Sequence, residues 1–150
     1  MGKLAKIGQW GGNAGSARDV RATPDQLIQV KVTHGDGSCI RSISFSYRGA
    51  DGKTYNVGPW GDPVGTEYKI DLCKCGESLK EISGTTGPAF NIDNLVKSLK
   101  FVTDKRTYGP YGDDDGIPFR VAVMNDGRID AFFGRSGDCL DAIGLYVNPN

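Results

Sequence analysis

The chain is 150 residues long, one domain by length, with 18 Lys+Arg balanced by 18 Asp+Glu and 38% hydrophobic residues. Zero net charge supplies no basic footprint for nucleic acid or anionic lipid, and no apolar run approaches the roughly 18 residues of a membrane span. The N-terminus Met1-Gly2-Lys3-Leu4-Ala5-Lys6 carries no apolar signal core, so a cytoplasmic or possibly nuclear protein without signal peptide or membrane insertion is expected.

In chain order, strand patterns run through Leu27–Val32, Ile40–Tyr47, Leu99–Thr103, Phe119–Met124 and Ile143–Val147, each rich in β-branched and aromatic residues and bounded by turn residues. Gly49-Ala50-Asp51-Gly52 and Asn125-Asp126-Gly127 read as hairpin turns, because Asn and Gly tolerate positive φ. The best helix candidate, residues 91–100, is short and runs into a strand pattern. The class is all-β. Glycine, at 22 of 150, is spread along the chain and implies many tight turns.

An internal repeat organises these strands. Gly8-Gln9-Trp10-Gly11-Gly12-Asn13-Ala14-Gly15, Gly58-Pro59-Trp60-Gly61-Asp62-Pro63-Val64-Gly65 and Gly109-Pro110-Tyr111-Gly112-Asp113-Asp114-Asp115-Gly116 share the frame Gly-x-aromatic-Gly-x-x-x-Gly, starting 50 and 51 residues apart. A second triplet accompanies it: Arg41–Phe45, Lys97–Phe101 and Asp141–Leu145. The third of these has its aromatic partner at Gly8, so the terminal strands are expected to pair as a hairpin with its turn cut open. Three units of about four strands predict a threefold pseudosymmetric prism of three small antiparallel sheets. Glycine-rich loops are expected at one end of it, at Gly35-Asp36-Gly37, Gly84-Thr85-Thr86-Gly87 and Gly134-Arg135-Ser136-Gly137.

Trp10-Gly11-Gly12, Glu81–Pro88, Thr107–Gly112, Phe132–Gly137 and Leu140–Gly144, in this order and over residues 5 to 147, resemble the jacalin-related plant lectins, most of all the mannose-binding members of grasses. The resemblance implies a β-prism I fold, here one domain over 1–150 of three four-stranded Greek-key sheets, and binding of mannose- or glucose-type glycans without metal or cofactor. It also implies the site. Asp141 accepts from the 4- and 6-hydroxyls, the backbone N–H groups of Asp138 and Cys139 donate to the ring and 6-oxygens, and the Gly15 N–H donates to the 3-hydroxyl. Gly137 opens the Gly-x-x-x-Asp motif. The chemistry suits a pyranose, whose hydroxyls both donate and accept: a carboxylate takes two O–H groups while backbone N–H groups donate back. Family members often carry a larger apolar residue where Cys139 stands. Galactose-selective relatives carry a charged amino terminus at the glycine of the site, whereas Gly15 lies inside a continuous chain, so the resemblance implies mannose and glucose over galactose.

The other chemistry-bearing residues read as structural. Cys73-Lys74-Cys75 is too closely spaced for a zinc half-site and has no second cluster to complete it. His34 has no accompanying nucleophile and acid. Asp113-Asp114-Asp115 lacks the alternation of a calcium loop and reads as a solvated turn. Trp10, Trp60 and Tyr111 recur at one frame position, which suits packing better than sugar stacking. Cys39 and Cys139 match in the repeat, which fits packing at a strand start. A single sugar site is expected, because Arg41 and Lys97 stand where Asp141 does and have no acceptor; both read as solvated strand-end charges, Lys97 following a long Gly87–Lys97 loop. A lectin without catalysis is thus the reading, its copies paired as a homodimer for cross-linking. The alternatives are a glycoside hydrolase using Asp138 and Asp141, or an adhesive module of a larger chimeric protein.

Overall fold

The computed structural model describes residues 4–35 and 39–149, so Asp36 and Gly37 of the first expected loop lie outside the described residues. Among the described residues twelve strands follow one another: β1 (Ala5–Gly11), β2 (Ser16–Arg18), β3 (Pro24–His34), β4 (Ser42–Gly49), β5 (Thr54–Gly61), β6 (Thr66–Asp71), β7 (Leu79–Ala89), β8 (Ile92–Thr103), β9 (Thr107–Gly112), β10 (Ile117–Ala122), β11 (Arg128–Ser136) and β12 (Leu140–Asn148). They form three four-stranded antiparallel sheets, ordered β1-β12-β11-β2, β5-β4-β3-β6 and β10-β7-β8-β9. In each sheet three strands meander and a fourth returns beside the first, the Greek-key arrangement. The first sheet achieves this with strands from both chain ends: β1 pairs with β12 from Ala5↔Val147 to Gly11↔Ala142, the open hairpin expected from the repeat.

The repeat maps onto equivalent ladder positions. Trp10 faces Ile143, Trp60 faces Ile43 and Tyr111 faces Leu99. Each aromatic frame is a bulged strand rather than a turn, with a register shift between Ile7 and Trp10, Ile43 and Phe45, and Leu99 and Phe101. All three aromatics pack inward: Trp60 is buried edge-on to Phe45, Trp10 stacks on Phe119, and Tyr111 stacks on Tyr68. In the core Phe132 joins one phenylalanine from each of the other two sheets, Phe45 and Phe101 both standing edge-on to it at 5.1 and 6.4 Å.

Five local expectations are corrected. Gly84–Gly87 and Gly134–Ser136 are strand, not loop: they lie inside β7 and β11, where a Cβ on Gly84 would stand 2.1 Å from the Ser98 carbonyl and one on Gly134 2.1 Å from the Ala142 carbonyl, so Gly84 and Gly134 serve close backbone approach. The Gly87–Lys97 loop is likewise the tip of the β7–β8 hairpin, turning at Phe90 and Asn91, both with positive φ. Residues 91–100 are strand throughout Ile92–Lys100, since β8 is laddered to β7 on one side and to β9 on the other, with Ser98 and Leu99 paired to both. Asn125-Asp126-Gly127 is a turn with positive φ at Asn125, but it carries the chain from β10 in one sheet to β11 in another rather than closing a hairpin. The hairpin at Gly49–Gly52 does form, between β4 and β5. Among the described residues the one helical turn, α1 (Leu72–Cys75), is capped by the Asp71 carboxylate at the Lys74 N–H and by Gly76 in the left-handed conformation, and it leaves Cys73 and Cys75 exposed.

Candidate functional site

One end of the molecule gathers the loops that follow β1, β11 and the tip of β7–β8. Gly137, Asp138 and Cys139 connect β11 to β12, Asp141 is the second residue of β12, and Gly15 precedes β2. Two backbone bonds tie this end together across the sheets: Ile40 N–H donates to Val96 at 3.0 Å, and Leu140 N–H donates to Ile40 at 3.0 Å. These three residues hold the same place in the three units, immediately before Arg41, Lys97 and Asp141.

Gly15 and Asp141 are adjacent. At Gly15, φ is +70°, and a Cβ would stand 2.5 Å from Oδ2 of Asp141 and 2.4 Å from the Ser136 carbonyl carbon. Only glycine fits that conformation beside that backbone. The Gly12 N–H donates to the Asp141 carbonyl at 2.8 Å, fixing the segment that leads to Gly15. Arg135 holds it from the other side, with Nε donating to the Ala14 carbonyl at 3.1 Å and Nη2 to the Gly15 carbonyl at 2.8 Å. Asn94, on the β7–β8 hairpin, donates to the Gly11 carbonyl at 3.0 Å and brings that hairpin alongside. Gly15, Gly137 and Asp138 are exposed, whereas Cys139 is buried.

Asp141 itself is 1% exposed, and its Oδ1 has no hydrogen-bond partner among the described residues. Burial pushes the carboxyl pKa above the ordinary aspartate value; the Gly137 N–H and the Arg135 charge oppose this, and the neighbouring Asp138 adds to it. A buried carboxylate with an unused acceptor costs the fold free energy, and Oδ1 has the capacity to accept from an external donor.

The two pseudo-equivalent ends share the backbone but not the chemistry. Gly65 sits against the His34 carbonyl and Gly116 against the Thr86 carbonyl, as Gly15 sits against Ser136. Neither Arg41 nor Lys97 is the solvated strand-end charge that the sequence suggested. Lys97 is buried and paired with Asp115 at 2.6 Å, because the return from β9 to β10 brings that carboxylate over it. Arg41 is half-buried, 3.5 Å from Asp62, and lies over the Phe90 ring. Of the other acidic residues in that turn, Asp114 accepts from Ser98 and Asp113 accepts through its carbonyl from Thr85.

The sequence reading missed Arg135 and Asn94. Arg135 was legible only as part of the Gly134–Gly137 stretch, and nothing in the sequence said that its guanidinium caps the Gly15 segment. Asn94 carried no signal, since its neighbours were read as helix or loop.

Three Greek-key sheets with a glycine-and-carboxylate loop at one end define a lectin of the β-prism type. The chain belongs to the jacalin-like lectin domain family, whose model matches residues 7–146. It is similar to horcolin of Hordeum vulgare, with 45% identity over 150 residues, covering 99% of this chain and 100% of the relative. Among solved structures it is similar to the mannose-binding jacalin-related lectin AcmJRL of Ananas comosus, with TM-score 0.91, 41% identity and coverage of 98% of this chain and 99% of the other. It is also similar to artocarpin, solved with mannotriose, at TM-score 0.84, 32% identity and 99% of both chains. Membership in this non-enzymatic family makes the chain a carbohydrate-binding protein, and gives no support to the glycoside-hydrolase alternative on Asp138 and Asp141.

Proposed function

We propose that the chain recognises mannose- and glucose-type glycans through one metal-independent site formed by Gly15, Gly137, Asp138, Cys139 and Asp141. The observation that carries this reading is the buried, unpartnered Oδ1 of Asp141 beside Gly15, the one position among the three equivalent ends that holds an acceptor rather than a cation. The Asp141 carboxylate takes two sugar hydroxyls, and the N–H groups of Gly15, Asp138 and Cys139 donate to sugar oxygens. All of these are protein groups, so no cation is needed to bridge them. Asp141 is 1% exposed, and the exposed Gly15 and Gly137–Asp138 segments flank it. The mannose-binding relative from Ananas comosus and the mannose/glucose-specific lectin of Parkia platycephala, 34% identical over 148 residues, favour this sugar class.

With one site per chain, cross-linking of glycans needs two copies, and a homodimer is the simplest assembly that supplies them. The test is calorimetry with methyl α-mannoside, methyl α-glucoside and methyl α-galactoside, before and after EDTA. Tighter binding of galactoside, or loss of mannoside binding with EDTA, contradicts the reading. Light scattering tests the dimer, which a strictly monomeric mass at working concentration rules out.

A further inference from the structure

The same threefold pseudosymmetry that sets Arg41, Lys97 and Asp141 in equivalent places also sets Cys39, Leu95 and Cys139 two residues earlier in each unit. These three form a small buried cluster of their own, apart from the main core, with Ala89 and Ile92 packed against it. Two of its members are thiols, although they lie 100 residues apart in the chain. Cys39 is 0% and Cys139 2% exposed, and their sulfurs stand 2.7 Å apart, the Cys39 thiol donating to Cys139. That separation is only about 0.7 Å beyond a covalent S–S bond. The two backbones are already held together here by the Leu140 N–H on the Ile40 carbonyl, one residue further along each chain segment. Hydrophobic packing alone does not require sulfur at two of three positions, since Leu95 fills the third.

We propose that Cys39 and Cys139 form a reversible disulfide that staples the first unit to the loop between β11 and β12. A low-molecular-weight disulfide such as oxidised glutathione is the oxidant. One protein thiolate attacks it, giving a mixed disulfide and releasing one glutathione thiol. The second protein thiol, losing its proton, then attacks the protein sulfur of that mixed disulfide, and the second glutathione thiol leaves. Two electrons and two protons pass from the protein to one glutathione disulfide, giving two glutathione thiols. Burial slows this exchange in the folded protein and holds the Cys39 thiol protonated, so the bond forms most readily while the chain folds. Cys73 and Cys75, exposed on the helical turn, take no part.

The experiment is refolding of the full chain carrying Cys73→Ser and Cys75→Ser, either in a glutathione redox couple or in reductant, followed by alkylation and peptide mapping. The expected product in the redox couple is about 2 Da lighter than the reduced chain before alkylation, with one linked peptide joining Cys39 to Cys139 and no alkyl label on either. Its Tm should exceed that of the reduced form by roughly 10 °C, as closing a loop of this length implies. Adding Cys39→Ala should abolish both the linkage and the redox-dependent difference in Tm, whatever it does to Tm itself. Recovery of both thiols alkylated in the correctly folded protein overturns the proposal, as does a bond that forms and leaves Tm unchanged. If the doubly substituted chain does not refold, the unsubstituted chain refolded in the same couple gives the same mapping readout. Cys139 also belongs to the proposed sugar site, but the linkage and the redox-dependent Tm are read without sugar, so none of these results depends on whether that site binds mannose.

Discussion

Gly15 and Asp141 stand so close that no side chain fits between them: a Cβ on Gly15 would lie 2.5 Å from Asp141 Oδ2, and the residue's φ of +70° is one that glycine adopts freely. Gly15→Ala therefore places a methyl group against the carboxylate and the Ser136 backbone, and adds about 1–2 kcal/mol for the left-handed conformation. Mannoside affinity should fall at least tenfold. The substitution lies in an exposed segment outside the core, so circular dichroism should still report a folded, strand-rich protein.

Asp141→Asn separates binding from stability. Burial raises the Asp141 pKa, so between the unfolded aspartate value and the higher folded value the native state binds more protons than the unfolded chain. Stability associated with this group is therefore full at low pH and falls as pH rises through that window. At neutral pH the charged carboxylate opposes folding. Asp141→Asn should melt no lower than the parent at pH 7, measured by calorimetry. The parent's mannoside affinity should weaken on acidification from a higher pH than an ordinary aspartate would give, because protonation removes an acceptor.

Arg135→Ala removes both guanidinium bonds that hold the Ala14 and Gly15 carbonyls. Charge-assisted bonds of this kind, partly exposed, contribute about 1–2 kcal/mol to ordering the loop, so affinity should fall roughly 5–30-fold. An unchanged dissociation constant by calorimetry would show that the Gly15 segment is held without it.

Glu77 is a purely structural counterpart. Its carboxylate is fully buried and accepts from Thr103 Oγ1 at 2.5 Å, from Tyr108 at 2.9 Å and from Arg106 at 3.2 Å. Glu77→Ala leaves the Thr103 and Tyr108 hydroxyls short of a partner and should cost about 2–4 kcal/mol, a fall in Tm of roughly 5–15 °C. Tyr108 is pushed up to about 12, by burial first and by Glu77 second. Its folded pKa is raised, so its contribution is intact below the unfolded tyrosine value and is lost as pH rises through about 12. Tyr108→Phe should flatten that alkaline loss in a pH series of melting curves.

The threefold plan was legible because it is written as spacing: Trp10, Trp60 and Tyr111 recur in one frame and face Ile143, Ile43 and Leu99 at equivalent rungs. Even the pairing of the chain ends followed from the displaced third copy. What spacing does not encode is which strand a turn delivers the chain to. Asn125 has the positive φ of a tight turn, yet the turn changes sheets, and only side-chain burial decides between the two outcomes. The glycines of β7 were read as loop because close backbone approach and loop freedom select the same residue. Lys97 was read as solvated because its partner, Asp115, reaches it from a different strand connection.

The central claim, one acceptor-bearing end among three, is tested most directly by calorimetric titration of methyl α-mannoside into the unsubstituted chain and into Asp141→Asn. Asn keeps one acceptor oxygen but replaces the other with an NH2 donor and removes the charge, so the loss of one charge-assisted hydroxyl bond is expected to cost about 1.5–3 kcal/mol, roughly tenfold or more in affinity. The account predicts one mannoside bound per unsubstituted chain and correspondingly weaker binding by the folded variant. A stoichiometry of two, or parental affinity retained by Asp141→Asn, would contradict it.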